Sequence, residues 1–137
     1  MAAAKNATWD RHVAALTSRV VSGAAILPVQ PVKAAILAQK GVSMKAPEAT
    51  ALVNSVMEGK VHLDYVAFGG QSFLLTTVCE NAFYGPCVSS TTISGIVLVK
   101  TRHLLIVAVF SQPSAMAQAI PYVHKYCDQE LENAVVL

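Results

Sequence analysis

Charge is scarce in this chain of 137 residues: Asp, Glu, Lys and Arg make up 13% of it, against a usual share of roughly 25%. Intrinsic disorder, which needs high charge and low hydrophobicity, is excluded, since 54% of the residues are apolar. The 10 Lys and Arg against 8 Asp and Glu leave a formal +2. That is too little for nucleic-acid binding by phosphate neutralisation alone. Long apolar runs are missing as well. The most apolar stretch, Ile93 to Phe110, is cut by Lys100, Arg102 and His103, and no run approaches the ~20 residues of a bilayer span. The opening MAAAKNATWDR has no apolar signal-peptide region, so a cytosolic chain is expected. The glycosylation triplet Asn6-Ala7-Thr8 is then a coincidence of pattern.

Cysteine is equally sparse. Cys79, Cys87 and Cys127 form an odd set without C-x-x-C spacing, which in a reducing compartment reads as free thiols packed as small hydrophobes. A metal site from His124, Cys127 and another cysteine would lack the paired ligand spacing such sites use. Catalytic constellations are missing too. Acidic residues are scattered, and Glu130 with Glu132 reads as a solvated helix end, not a carboxylate pair. His12, His62, His103 and His124 stand alone, with no nucleophile signature beside them. Gly69-Gly70-Gln71 lacks the strand and helix that frame a nucleotide loop, so it reads as a hairpin turn. No enzyme and no cofactor are expected. Binding is the more economical function.

What is present suits one domain over residues 1–137, a size that buries roughly two-thirds of its unfolded surface. Trp9, Val13, Leu16, Thr17 and Val20 recur at helical spacing, with Thr8 or Asn6 as the expected cap and Gly23 as the break. Ala24 to Val29 and Val32 to Ala38 read as a strand pair ended by Gly41. Pro47, Glu48 and Gly59 bracket a second helix with the stripe Ala49, Leu52, Val53, Val56 and Met57. Strands are expected at Val61 to Phe68, Phe73 to Val78, Ala82 to Gly85, Ile96 to Lys100 and His103 to Phe110. Thr101-Arg102 makes a tight turn between the last two, which are so apolar that both faces must be covered. Pro113 and Ser114 open a closing helix carrying Ile120, Val123, Cys127 and Leu131 on one face. Pro121 implies that this helix either starts later or kinks. The order gives an α+β sandwich with a central antiparallel sheet.

The same residues resemble the profilin family. Trp9-Asp10-Arg11-His12-Val13 is similar to the family's N-terminal tryptophan followed three residues later by an aromatic. Gly41-Val42-Ser43-Met44 precedes a proline-initiated helix, as in the family. Phe68-Gly69-Gly70-Gln71-Ser72-Phe73 resembles its G-Q-x-F turn, with Phe83-Tyr84-Gly85 at the usual distance beyond. Most specific is Gly95 to Val107, close to the family's glycine, strand, Lys-Thr turn and final strand. The closing helix ends near Tyr126-Cys127, where the family has an aromatic-Leu pair. The match spans about Trp9 to Tyr126. It implies a profilin-like three-layer fold, with the N- and C-terminal helices on one face of the sheet and the shorter helix on the other.

The resemblance also implies a protein that binds actin monomers with one face and proline-rich segments with the opposite one. Carried over by position, the proline groove would use Trp9, His12 (where a Tyr is common) and Tyr126. The family's second Trp falls near Ile36 and its last aromatic near Glu132, so two stacking platforms are lost. Trp9 has two readings, a pin between the terminal helices and a stacking platform. The actin face would use His62, Leu63, Ser72, Leu74, Thr77, Ser114, Ala117 and Tyr122. Basic residues that the family often carries near Ser72, near Thr77 and after the Tyr-Gly step are absent, and the loop Pro86 to Ser94 is long and uncharged. Phosphoinositide binding, a family trait that uses basic patches, has weak support from so few scattered Lys and Arg. The expected function is regulation of actin polymerisation and nucleotide exchange in the cytoplasm and cytoskeleton, with weakened proline binding. The alternative is a scaffold of the roadblock type, found in trafficking and motor complexes and built on the same layers, which would dimerise without actin. A third reading, a small enzyme or ligand carrier, would need an interior pocket with convergent polar groups.

Overall fold

The computed structural model describes residues 2–18, 21–29, 36–59, 66–78, 82–88, 95–111 and 116–131. The first helix, α1 (Ala2–Leu16), starts well before Thr8. Asn6 and Thr8, expected as caps, lie inside it. Ala2-Ala3-Ala4-Lys5 are strong helix formers, and their propensity extends the helix towards the N-terminus.

Next come β1 (Gly23–Pro28) and β2 (Ala38–Lys40), paired antiparallel with Ala25 opposite Gln39. The expected second strand, Val32 to Ala38, lies mostly outside the described residues, and β2 begins where it was to end. Gly41 closes the pair at φ 78°, and a side chain there would run into the Ser22 backbone. α2 (Ala46–Met57) has its proline in the first turn. Glu48 reaches back to accept from the Lys45 N–H at 2.8 Å, half of a capping box.

The segment read as one strand over Phe73 to Val78 is divided between two sheets. β3 (Val66–Phe68) and β4 (Gln71–Phe73) form a separate hairpin across Gly69-Gly70, whereas β5 (Thr77–Val78) joins the main sheet. The rest is β6 (Ala82–Pro86), β7 (Gly95–Lys100) and β8 (Leu104–Phe110). The main sheet has six antiparallel strands in the order β2-β1-β8-β7-β6-β5. The β7–β8 turn centres on Arg102-His103, one residue later than expected, because the Thr101 N–H donates to the Leu104 carbonyl at 2.8 Å. The Thr101 hydroxyl, buried at 2% exposure, accepts from the Leu104 N–H at 3.1 Å.

Strand alternation sorts the sheet into two cores. On one face Ile26, Val97, Val99, Ile106 and Phe110 pack against Trp9, Val13 and Leu16 of α1, and against Ala119 and Val123 of α3 (Met116–Tyr126). On the other, Leu27, Ile96, Leu98, Leu105 and Val107 pack against Leu52, Val53 and Val56 of α2, and against Phe68 and Phe73 of the hairpin. This is the three-layer arrangement the resemblance implies: terminal helices on one side, the short helix on the other. β1, β7 and β8 are covered on both faces, which accounts for their unbroken apolar runs.

α3 runs through Pro121, which is exposed; residues 112–115, where Pro113 and Ser114 were expected to open it, lie outside the described residues. The ring removes the bond to the Ala117 carbonyl and crowds that oxygen, in an exposed first turn where water can reach it. The helix ends in a π-helical turn, Cys127–Leu131. Cys127 is fully buried there, while His124 is half-buried and faces Asp128 at 3.6 Å, so the two do not share a site. Among the described residues no helix is long and apolar enough to cross a membrane.

Candidate functional site

Two surfaces collect the residues singled out above. The first lies between the terminal helices. Trp9 and His12 sit three apart on α1, so they project from one side of the helix. Tyr122 and Tyr126 are four apart on α3 and share a side for the same reason. The fold brings the two pairs together. The Tyr126 hydroxyl lies 2.7 Å from His12 Nδ1, and the two rings meet edge to face at 5.9 Å. The imidazole in turn packs against Trp9, with ring centroids 6.0 Å apart and tilted by 45°. Trp9, His12 and Tyr126, named together from the resemblance, therefore form one continuous aromatic cluster.

Trp9 is only 8% exposed and belongs to the core beneath α1 and α3. Its burial suits a pin between the layers, and His12 and Tyr126, both half-buried, present more surface. Tyr122 sits one turn before Tyr126, and its hydroxyl donates to the Ala15 carbonyl of α1 at 2.7 Å. It thus ties the two terminal helices together. The i, i+4 spacing of Tyr122 and Tyr126 was the available signal for that placement. The position read near Ile36 divides similarly. Ile36 packs on the α2 side, and it is Leu37 that joins the core below α1. Glu132 lies outside the described residues.

Burial is the main influence on both titratable rings. It lowers the His12 pKa from 6.5, helped by the Arg11 cation and opposed by Glu130. Burial likewise raises the Tyr126 pKa, reinforced by Glu130, Tyr122 and Cys127 and opposed by Arg11. Both effects favour the neutral pair, in which the phenol donates to Nδ1 when the imidazole proton sits on Nε2.

The second surface is the β5 edge of the sheet. Here 72–77 runs antiparallel to 84–88. The Leu74 N–H donates to the Pro86 carbonyl at 3.0 Å, the Thr76 N–H to the Tyr84 carbonyl at 3.1 Å, and the Val88 N–H to the Ser72 carbonyl at 2.9 Å. Ser72, Leu74 and Thr77 therefore line one ribbon, and all three are half-buried. Thr77 stands opposite Tyr84, whose ring packs with the terminal-helix core, so this edge is continuous with the α3 side of the sheet. Ala117 is exposed in the first turn of α3. His62, Leu63 and Ser114 lie outside the described residues. The described segments 71–78 and 82–88 contain no charged residue, and Val78 and Val88 are about half exposed on them. Lys100 and Arg102 stand near Ala82, at the other end of β6 from Pro86. Gly85 is what lets the ribbon cross so closely, since a Cβ there would overlap the Leu74 carbonyl oxygen.

The family model for profilin matches residues 7–134. Comparison with curated proteins gives no match. Among solved structures, the chain is similar to Acanthamoeba castellanii profilin IB, with a TM-score of 0.70 and 20% identity over 88% of this chain and 94% of that one. It is similar to mouse profilin IIa in complex with a double repeat from the FH1 domain of mDia1, with a TM-score of 0.63 and 13% identity over 88% and 96%. LokiProfilin1 in complex with rabbit actin matches with a TM-score of 0.61 and 15% identity over 89% and 96%.

Proposed function

Since this chain belongs to the profilin family, we propose that it binds actin monomers and thereby regulates their polymerisation. The observation that carries this reading is the profilin match over residues 7–134 of a chain with profilin layers. The actin face in this reading is the β5 edge with Ser72, Leu74 and Thr77, together with Ala117 and Tyr122 of α3 and with His62, Leu63 and Ser114. Docking there is dominated by apolar and backbone contact, because the described part of the ribbon has no charge. Rim charges chiefly steer encounter, so their absence slows association more than it weakens the docked complex. Faster nucleotide release follows if the protein prefers actin with an open cleft, a population shift that needs no chemical step.

The second activity is weak binding of proline-rich segments between the terminal helices, supported by the cluster of Trp9, His12 and Tyr126. The mouse profilin seen with a formin repeat supports the same reading by likeness of fold. The protein acts without catalysis, in the cytoplasm and on the cytoskeleton.

The test is release of a fluorescent ATP analogue from cognate monomeric actin, titrated with this protein beside a direct binding measurement. Saturable binding is expected. Absence of binding at roughly tens of micromolar would remove the actin function, and a stable homodimer by size-exclusion chromatography would then favour the scaffold alternative.

A further inference from the structure

Building on the proline-binding reading above, we propose that His12 is a positioning residue. It controls whether the Tyr126 hydroxyl can donate to a carbonyl of a bound proline-rich segment, so that binding tightens when the imidazole takes up a proton.

The chemistry of the ligand sets the requirement. A polyproline II segment has no N–H on its prolines and leaves its carbonyls unpaired, so a site that holds it must supply donors. Between the terminal helices the described hydroxyls are those of Tyr122 and Tyr126. Tyr122 donates to the Ala15 carbonyl, an acceptor whose character does not change with pH. Tyr126 is different, because the group 2.7 Å from its oxygen is a titratable ring nitrogen.

With His12 neutral and its proton on Nε2, Nδ1 accepts and the Tyr126 hydroxyl proton is committed inward. When solvent supplies a proton to Nδ1, that nitrogen becomes a donor and the phenol oxygen becomes its acceptor. The hydroxyl proton of Tyr126 is then free to turn outward to a ligand carbonyl. The exchange needs no movement of the two rings from their edge-to-face packing. A tyrosine at position 12 would not titrate in this range, so the device depends on the histidine.

The groups acting on the imidazole are Arg11 of its own helix and Glu130 of the turn after α3, with Tyr126 itself in contact. β2, which also packs on α1, carries Lys40, which is not among the groups that act on His12. Burial and Arg11 hold His12 neutral at neutral pH, and Glu130 pulls the other way. The change therefore falls below the ordinary histidine value of 6.5.

The experiment is calorimetric titration with a synthetic polyproline peptide from pH about 8 to about 5, for the wild type, His12→Phe and Tyr126→Phe. Ring-nitrogen chemical shifts of His12 are recorded without peptide. The wild type should bind roughly three- to tenfold tighter at the acid end, the worth of one net hydrogen bond. His12→Phe, which leaves Tyr126 without an inward acceptor, should show the tighter affinity at every pH. Tyr126→Phe should be weak and flat. Peptide binding with the same affinity across the range would overturn the role of His12 and leave the proline reading standing. Binding at no pH would overturn both. A neutral His12 protonated on Nδ1 would overturn the mechanism whatever the peptide does.

Discussion

Gly85→Ala probes the crossing on which the proposed actin face depends. An added Cβ would overlap the Leu74 carbonyl oxygen and sit 2.9 Å from both the Leu74 carbonyl carbon and the Thr76 nitrogen. All three atoms are backbone, so no side chain can swing away, and the ribbon must lift from β6. Two of its bonds flank Gly85 directly, Leu74 N–H to Pro86 O at 3.0 Å and Thr76 N–H to Tyr84 O at 3.1 Å. Each is worth about 1 kcal/mol net, and strain left in a closely packed site adds about 1–3 kcal/mol. The expected loss is therefore about 3 kcal/mol or more, read by urea denaturation as a lower midpoint at unchanged slope. Gly70→Ala is the control: its φ is 79° and nothing lies within 4 Å, so only the left-handed backbone is penalised, by about 1 kcal/mol. Where the variant still folds, its actin affinity should also drop, because Leu74 and Thr77 move with the ribbon. A Gly85→Ala protein no less stable than Gly70→Ala would refute the close crossing and the face built on it.

Four further outcomes follow from the same structure. Thr101→Val should cost about 1–3 kcal/mol by leaving the buried Leu104 N–H without its acceptor, and Thr101→Ser, which keeps the hydroxyl, should cost less; equal losses in urea midpoints would contradict this. Trp9→Ala should cost about 3–5 kcal/mol as a buried aromatic truncation, whereas a change within about 0.5 kcal/mol would mark Trp9 as a surface platform. Because the folded pKa of His12 is lowered, its contribution to stability is complete above 6.5 and is lost as pH falls through the folded value. Tyr126 has a raised pKa, so its contribution is complete below 10.0 and is lost as pH rises through the folded value. Unfolding free energies against pH should show the acid slope in the wild type and lose it in His12→Phe. Finally, the actin association rate should change little with ionic strength, since the described β5 edge has no charge; a steep fall in stopped-flow rates with salt would contradict that face.

Parts of this architecture were legible residue by residue. The apolar runs of β7 and β8 mark strands covered on both faces, and Pro47 and Gly59 bracket α2 within a residue or two. Local chemistry left other points ambiguous. α1 begins in an alanine run, whose propensity carries the helix past the cap residues Asn6 and Thr8. The residues Phe73 to Val78 read as one strand because β-propensity does not specify a partner. Phe73 pairs with Val66 and Thr77 with Tyr84, and the bend between them is set by the approach of β6 at Gly85.

The candidate site divides along the same line. Trp9 and His12 are neighbours on a helix turn, and Tyr122 and Tyr126 are neighbours on another, which spacing alone establishes. That His12 meets Tyr126 across 114 positions is a property of the closed layers. Spacing also could not say whether Tyr122 turns towards Ala15 or towards the β5 edge, nor whether Ile36 or Leu37 lies under α1. Propensity, alternation and capping act over a few residues and can be read along the chain. Which strand a segment pairs with, and which ring a histidine touches, depends on packing that exists only after α1 and α3 have settled on one face of the sheet.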